Sequence, residues 1–497
     1  MSIRDFRAEL RYRGVFKTAA VYIAVGWLAL QGLSLIFQNF GAPDWVLKVT
    51  TTFVLIGFPV ACLMAWGFDI TPEGVRPIPV AHARPVPQPA STTTGHAAVI
   101  EPSSTPSIAV LAFDNLCADL EQEYFSDGIA EDIITDLSRL SQLRVIARNS
   151  SFAYKGRPVD IRQVGRELGV RYVLEGSVRK VGKRVRISSQ LIDATTGAHV
   201  WADRFDRDLT DIFAVQDEIS LQIIEALRIS LTPGMRARLT RRAVVDLEAH
   251  NLFLRGREQS LLLTGSGNVE ARKLLARAIA ISPQFSSAHA CVAFTHVDDY
   301  IMGRGEAPER SLQAGLTIAR HACAMDDEDA YAHAINSCAL LWNREHDQAL
   351  AEVQRCLDLA PSSAEGNLQL SNTQYYLGDC AAALRTLDAY VRLDPLYPEI
   401  TLYFLAEAQA ASGQLDAAVA TLKRRLERNP NSETSYALLA SCFGHLGRIE
   451  ESRQAWAQAL RIAPGFSLER RLRVLPYRTP ETFELRIEGL RKAGLTV

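Results

Sequence analysis

Apolar positions change their spacing several times along the chain. Residues Ala19 to Phe37 (AAVYIAVGWLALQGLSLIF) form 19 consecutive uncharged positions, and Val49 to Phe68 (VTTTFVLIGFPVACLMAWGF) form 20 more. About 20 apolar residues match the hydrocarbon thickness of a bilayer. The pattern therefore predicts a two-helix transmembrane hairpin over 1–70, with spans at 19–37 and 49–68. Over 71–106 the apolar runs stop and eight prolines stand among Ser, Thr and Ala. This linker composition favours extended chain over a packed core and would reach roughly 110 Å at ~3.1 Å per residue. From Ser107 short apolar runs alternate with helical periodicity. SIAVLAF reads as a buried strand, and Phe125 to Leu140 as a helix with Ile129, Ile133, Leu137 and Leu140 on one face. Arg144 to Arg148 reads as a second strand and Ile161 to Leu168 as a second helix. Strands at Tyr172–Arg179, Arg184–Ile192 and His199–Phe205 follow, then a helix from Asp211 to Leu231. A βαβα start running into a meander predicts an α/β mixed-sheet domain over 107–231. Beyond 246 only the helical period continues.

That last stretch repeats itself. Prolines at 361, 395, 430 and 464 are spaced by 34, 35 and 34 residues, the helix–turn–helix period of tetratricopeptide (TPR) repeats. Asp327 stands 34 residues before Pro361, and Pro283 lies 44 further back, an excess of ten placed around Gly303–Glu309. With these residues at position 32, position 20 holds Ala271, Gly315, Ala349, Ala383, Ala418 and Ser452. All are small, as a close crossing of paired helices demands. Position 24 holds Leu275, Ala319, Val353, Leu387, Leu422 and Trp456, mostly apolar. The family's glycine at position 8 is Ser or Ala here (Ser337, Ser371, Ala406, Ala440), so the six repeats over 246–466 are degenerate. The remaining 467–497 reads as a capping region in which Thr479–Lys492 covers the last repeat, since a solenoid end needs a polar cap.

The middle segment carries a second resemblance. SIAVLAFDNL, EQEYFSDGIAEDIITDLSRL, RVIARNSSFAYKG, RELGVRYVLEGSVRK and LIDATTGAHVWADRFDR resemble, in that order, the TolB amino-terminal-like domain. Cys117-Ala118-Asp119-Leu120 departs from the Gly-Asp-Pro-like turn of that family. The resemblance implies an α/β accessory fold without catalytic residues, paired in bacteria with TPR repeats. Other members of the group carry a class III adenylate cyclase or a winged-helix regulator domain. The hairpin followed by Thr71–Val75 is similar to a membrane module of the same group. Neither additional domain is expected here. No unassigned stretch is long enough for a cyclase catalytic domain, and the 18 residues ahead of Ala19 are too few for a DNA-binding helix-turn-helix. Within the α/β domain, EQEYFSDGIAED and Arg148–Ser151 could face a ligand at the strand ends. The alternative is that they cap a helix and a turn.

Composition adds topology and excludes chemistry. The formal charge of −2 partitions as +3 over 1–48, −1 over 49–106, −3 over 107–231 and −1 over 232–497. A near-neutral total argues against nucleic acid as a partner, since that binding rests on clustered Lys/Arg neutralising phosphates. Arg4, Arg7, Arg11, Arg13 and Lys17 flank the first apolar run, while the connector has Lys48 alone. The positive-inside rule then predicts a protein bound to the lipid bilayer with both termini and the remaining domains cytoplasmic, and the resemblance implies that this is a bacterial inner membrane. The rival reading has one span and a C-terminal part exported to the periplasm, because Thr50, Thr51 and Thr52 weaken the second run. Eight cysteines lack C-x-x-C spacing, and those at repeat core positions read as small buried hydrophobes in a reducing compartment. No phosphate loop, H-E-x-x-H or G-x-S-x-G occurs. His289, His296 and Asp299 share a helix with metal-capable geometry but read as an ordinary repeat helix. The expectation is a chain without cofactor, metal or catalytic residues, and not an enzyme.

TPR arrays bind peptides or proteins along the concave face made by the first helix of each repeat. That face projects Tyr331 and Trp342, then Asn372 and Tyr375, then Tyr403 and Glu407, then Ser441 and His445. Asn372 matches an asparagine of the carboxylate clamp in chaperone-binding members, but the accompanying lysines and arginines are missing. An aromatic groove suits an extended or helical apolar segment; alternatively the tyrosines pack between repeats. The expectation is a multidomain, membrane-anchored, non-enzymatic scaffold or sensor whose array binds a protein or peptide. The alternative is a signal-transduction accessory protein whose α/β domain binds a small ligand and regulates a separate cyclase or transcription regulator. Homo-oligomerisation is compatible with either.

Overall fold

The computed structural model describes residues 68–71, 74–77, 105–117, 123–182, 184–208, 211–240, 245–305 and 307–495. The expected fold class, which joined a two-helix transmembrane hairpin to the α/β and TPR parts, is corrected. No helix among the described residues is long and apolar enough to cross a membrane. The physical reason is amphipathicity: the 18-residue helix Pro308–Met325 carries Glu309, Arg310 and Arg320. The spans at 19–37 and 49–68, Phe68 apart, and most of the linker lie outside the described residues. At the described end of the second run, β1 (Phe68–Thr71) instead pairs antiparallel with β2 (Gly74–Pro77), Phe68 opposite Pro77. The architecture that stands is an α/β mixed-sheet domain and an all-α helical array.

The α/β domain is built on β3 (Ser107–Val110), β4 (Asp114–Asn115), β5 (Arg144–Val145), β6 (Tyr172–Val181), β7 (Arg184–Asp193) and β8 (Ala198–Asp208). Their order is β5-β3-β6-β7-β8, with β4 also on β6. β3 runs parallel to β5 and β6, whereas β6, β7 and β8 are antiparallel in turn. Strict alternation explains why β3 is buried throughout. Ile108 and Val110 pack with Ile129, Ile133 and Ile219 of α1 (Glu123–Ser138) and α4 (Ile212–Ala226). Ala109 and Leu111 pack with Val164 and Leu168 of α3 (Ile161–Leu168) on the other face. Asp160 caps α3 by accepting from the Arg162 amide, and Gly169, at φ 63°, ends it. Two elements differ from expectation. The second strand stops at Val145 and gives way to α2 (Arg148–Phe152), and α4 stops at Ala226. Arg228 there turns to φ 55°, and Pro233 opens a separate helix α5 (Pro233–Thr240).

Six antiparallel helix pairs follow. They are α6 (Leu247–Ser260) with α7 (Gly265–Ile281), α8 (Ser286–Ile301) with α9 (Pro308–Met325), and α10 (Ala330–Trp342) with α11 (His346–Leu359). Then come α12 (Ala364–Leu377) with α13 (Cys380–Leu393), α14 (Ile400–Ala411) with α15 (Leu415–Arg428), and α16 (Glu433–His445) with α17 (Ile449–Ile462). Asp246, Asp329, Ser363 and Ser432 cap the first helix of four pairs by accepting from amides of the opening turn. Ala271, Ala349, Ala383, Ala418 and Ser452 have no exposed surface, because the partner helix passes directly over them. A Cβ on Gly315 would fall 2.9 Å from a Val297 methyl and 3.1 Å from the Ala293 carbonyl oxygen. The chain ends its described part with α18 (Leu468–Val474) and α19 (Glu481–Lys492).

Candidate partner-binding groove

The concave face of the last three pairs is occupied, and its occupant is the chain's own C-terminal segment. α19 presents Phe483, Arg486, Gly489 and Leu490 as its buried stripe, an apolar helical face interrupted by one arginine. Arg486 ion-pairs with Glu407 and donates to the Tyr375 hydroxyl at 2.9 Å and the Tyr403 hydroxyl at 3.4 Å. Burial alone would favour a neutral guanidine, but the Glu407 charge outweighs it and holds Arg486 firmly protonated. Burial also pushes the Tyr375 hydroxyl well above its usual range, so it accepts from Arg486 as a neutral phenol.

Backbone contacts complete the seat. Ser441 donates to the Arg486 carbonyl at 2.9 Å, and His445 Nε2 lies 2.7 Å from the Leu485 carbonyl. α16 and α19 cross so closely that a Cβ on Gly444 would lie 1.8 Å from the Gly489 carbonyl oxygen. The segment between α18 and α19 is held by Arg344, which donates to the carbonyls of Arg473, Leu475 and Tyr477 at 2.9–3.2 Å. His346 Nε2 is 2.7 Å from the Pro476 carbonyl, and the Arg478 amide donates to the Tyr376 carbonyl. Tyr477 itself packs edge-on against Tyr375 and Tyr376.

The first and fourth pairs hold the α/β domain through polar contacts. α2 docks on the loop after α13. Asp394 there accepts from Asn149 at 3.1 Å and from Ser150, while the Leu396 amide donates to Ser150 Oγ at 2.8 Å. The Ala147 amide donates to the Leu393 carbonyl at 2.7 Å. Burial pushes the Asp394 carboxyl up, partly offset by the Ser150 and Asn149 hydrogen bonds. Glu131 of α1 pairs with Arg148 at 2.8 Å and with Arg257 of α6, and Arg257 also reaches Glu365 at 2.7 Å. Ser362 donates to the Leu143 carbonyl at 3.0 Å.

The residues projected from sequence therefore separate into groups. Tyr375, Tyr403 and Glu407 converge on Arg486, and Ser441 and His445 bind the backbone of α19. Tyr331 lies under Arg257, 5.1 Å from ring centre to guanidinium, at the α/β junction. Trp342 packs edge-on between Tyr300 and Tyr376, each at 6.1 Å, as an inter-repeat spacer. Asn372 is half-buried on α12. Arg486, Arg344 and Tyr477 were missed. The usable signal was an arginine inside the apolar stripe Phe483–Leu490, which demands a buried acid. Asn149 and Ser150 hydrogen-bond to Asp394 of the array. His289 bonds the Pro283 carbonyl, whereas Asp299 pairs with Arg272 at 2.8 Å, so the helix that carries them does not assemble them.

One further concavity lies on the sheet face that α3 leaves uncovered. It encloses about 560 Å³ and is lined by Tyr154, Arg157, Glu175, Ser188, Gln190 and Arg204, among others. Glu175 and Gln190 are cross-strand partners and hydrogen-bond each other across its floor.

Residues 103–222 match the family described as HilA/YgeH-like transcriptional regulator, second domain. Residues 378–442 match the tetratricopeptide repeat family, so the array contains TPR repeats. Over 245 residues the chain is 51% identical to a protein of Rhizobium meliloti (strain 1021) provisionally named adenylate cyclase 3. That match covers 49% of this chain and 42% of the relative, so the chain spans less than half of the relative's length. Among solved structures it is similar to a thermophilic TPR protein of Thermus thermophilus, with 21% identity and a TM-score of 0.32 over 39% of this chain and 98% of that one. It is also similar to TolB from Acinetobacter baumannii, with 20% identity and a TM-score of 0.20 over 25% of this chain and 29% of that one.

Proposed function

We propose that this chain is a non-enzymatic protein-interaction scaffold whose TPR groove takes an amphipathic helix bearing a basic residue on its apolar face. The observation that carries the reading is the seat of Arg486: one buried acid, Glu407, ringed by the hydroxyls of Tyr375 and Tyr403. Such a seat selects geometry as well as charge, because a guanidinium placed there without its acid would be left buried and unpaired. A peptide spanning 479–494 tests this directly. It is expected to bind a chain cut back to 466 and to bind the intact chain far more weakly. Arg486→Ala in the peptide or Glu407→Gln in the groove should weaken binding at least about tenfold. A truncated chain that stays folded by circular dichroism yet ignores the peptide would sink the reading.

A second reading has its own observation in the concavity on the open sheet face, whose lining mixes Lys155, Arg157 and Arg204 with Asp114, Glu175 and Asp203. Here the α/β domain, whose sequence blocks support a TolB amino-terminal-like assignment beside the HilA/YgeH-like one, binds a small polar ligand. The chain then relays it to a separate cyclase or transcription regulator. Thermal unfolding with nucleotides and carboxylate metabolites distinguishes the two readings. A saturable stabilisation lost on Arg204→Ala favours this one.

A further inference from the structure

Three consecutive helices of the array bring a thiol, an imidazole and a carboxylate to one place, away from the groove contacts of α19. Cys323 lies in the last turn of α9, His333 in the first turn of α10 and Glu352 in the second turn of α11. A sulfur, a ring nitrogen and a carboxylate oxygen from these three all lie within 4.8 Å of one another. His333 is oriented from behind. Its Nε2 is 3.0 Å from the Asp327 carbonyl oxygen, which requires Nε2 to carry a proton and donate it. Nδ1 is thereby turned towards Glu352, with Oε2 at 2.6 Å. Metal-ligating histidines are held in this way, one ring N–H on a backbone carbonyl presenting the other nitrogen. Asn336, one turn beyond His333, is 3% exposed, and its Oδ1 is a buried acceptor without a hydrogen-bond partner. Its side chain also meets Glu352.

The donor set selects the ion. Thiolate and imidazole suit a borderline-soft divalent cation and disfavour calcium or magnesium, which take oxygen ligands. We propose that Cys323, His333 and Glu352 bind Zn2+, with a fourth position open to water. The ion takes the place of the proton shared by His333 and Glu352 and of the thiol proton, so one thiolate and one carboxylate neutralise it. Tetrahedral bonds of about 2.0–2.3 Å set ligands on the order of 3.3–3.8 Å apart. Glu352 must therefore draw back from His333, and its partly exposed side chain has room to do so. Because Cys323 belongs to the second pair and His333 and Glu352 to the third, the ion staples two repeats together.

Cobalt titration of the reduced, metal-stripped full chain tests the site. One equivalent of Co2+ is expected to raise a thiolate-to-cobalt charge-transfer band that Zn2+ then abolishes. Cys323→Ser should remove the band, Glu352→Gln should weaken Co2+ binding at least about tenfold, and Cys338→Ser should leave both unchanged. Metal-free circular dichroism establishes that the variants fold. For the unsubstituted chain, Zn2+ should protect Cys323 from alkylation more than the other thiols, as read by mass spectrometry. No band, a band that survives Cys323→Ser, or equal alkylation of Cys323 with and without Zn2+ overturns the proposal.

Discussion

Two acids of the array matter for different reasons, and the difference lies in their partners. Glu407 is 4% exposed and faces Arg486, itself 7% exposed. Removing one member of such a pair strands the other charge, at a cost of about 3–5 kcal/mol. Glu407→Leu is therefore expected to release α19, seen as loss of amide-exchange protection across 481–492. Adding Arg486→Met to it should restore most of that protection, since an apolar pair of similar volume avoids the stranded charge. Asp299 carries a pH dependence. Burial alone would raise its pKa, but hydrogen bonds from Asn268 and Arg272, with the Arg272 charge, hold it below the ordinary carboxylate value. A depressed folded-state pKa stabilises above the unfolded value of about 3.9 and loses that contribution as pH falls through the folded value. The stability advantage of the unsubstituted chain over Asp299→Asn, measured by urea midpoints, should be full at pH 7 and shrink below about pH 4. An advantage constant from pH 7 to pH 3 would contradict this.

At the scale of elements, the crossing of α16 over α19 allows no side chain at Gly444. Gly444→Ala puts a methyl against the Gly489 carbonyl, and overpacking of this kind costs about 1–3 kcal/mol. The expected result is cleavage near 478–481 by a dilute protease that leaves the unsubstituted chain intact. The same elements show what was legible beforehand. Helix pairing was readable because small residues recur where helices cross, and Ala349, Ala383 and Ala418 are indeed covered completely. The first strand of the domain was readable as buried because SIAVLAF is a short apolar run, and Ile108, Ala109 and Val110 have no exposed surface. The docking of α2 on Asp394 was not, because polar contacts between residues 244 apart leave no periodic trace. The role of α19 was half legible: a terminal amphipathic helix could be read, but its route into the groove is set by the tertiary pairing of Arg486. The Cys323, His333 and Glu352 cluster escaped because its ligands come from three helices with no motif spacing.

At the scale of the molecule, the α/β domain and the array share one compact unit from Ile100 onward, and polar contacts at Asp394, Ser362 and Arg257 join them. Asp394→Ala would leave Ser150 without its acceptor and Asn149 with the Leu396 carbonyl alone, at a cost of about 1–3 kcal/mol. Calorimetry should then resolve two unfolding transitions where the unsubstituted chain gives one. The tethered α19 also sets a threshold. An occupant joined to its own site competes at high effective concentration, on the order of millimolar for a short flexible connection. A rival's apparent affinity falls in proportion to the fraction of time the site stands empty. If that fraction is about 1%, a rival loses about a hundredfold. Weak chance encounters are filtered out, and a partner able to bind must either outmatch Arg486 in its seat or be presented locally in comparable abundance.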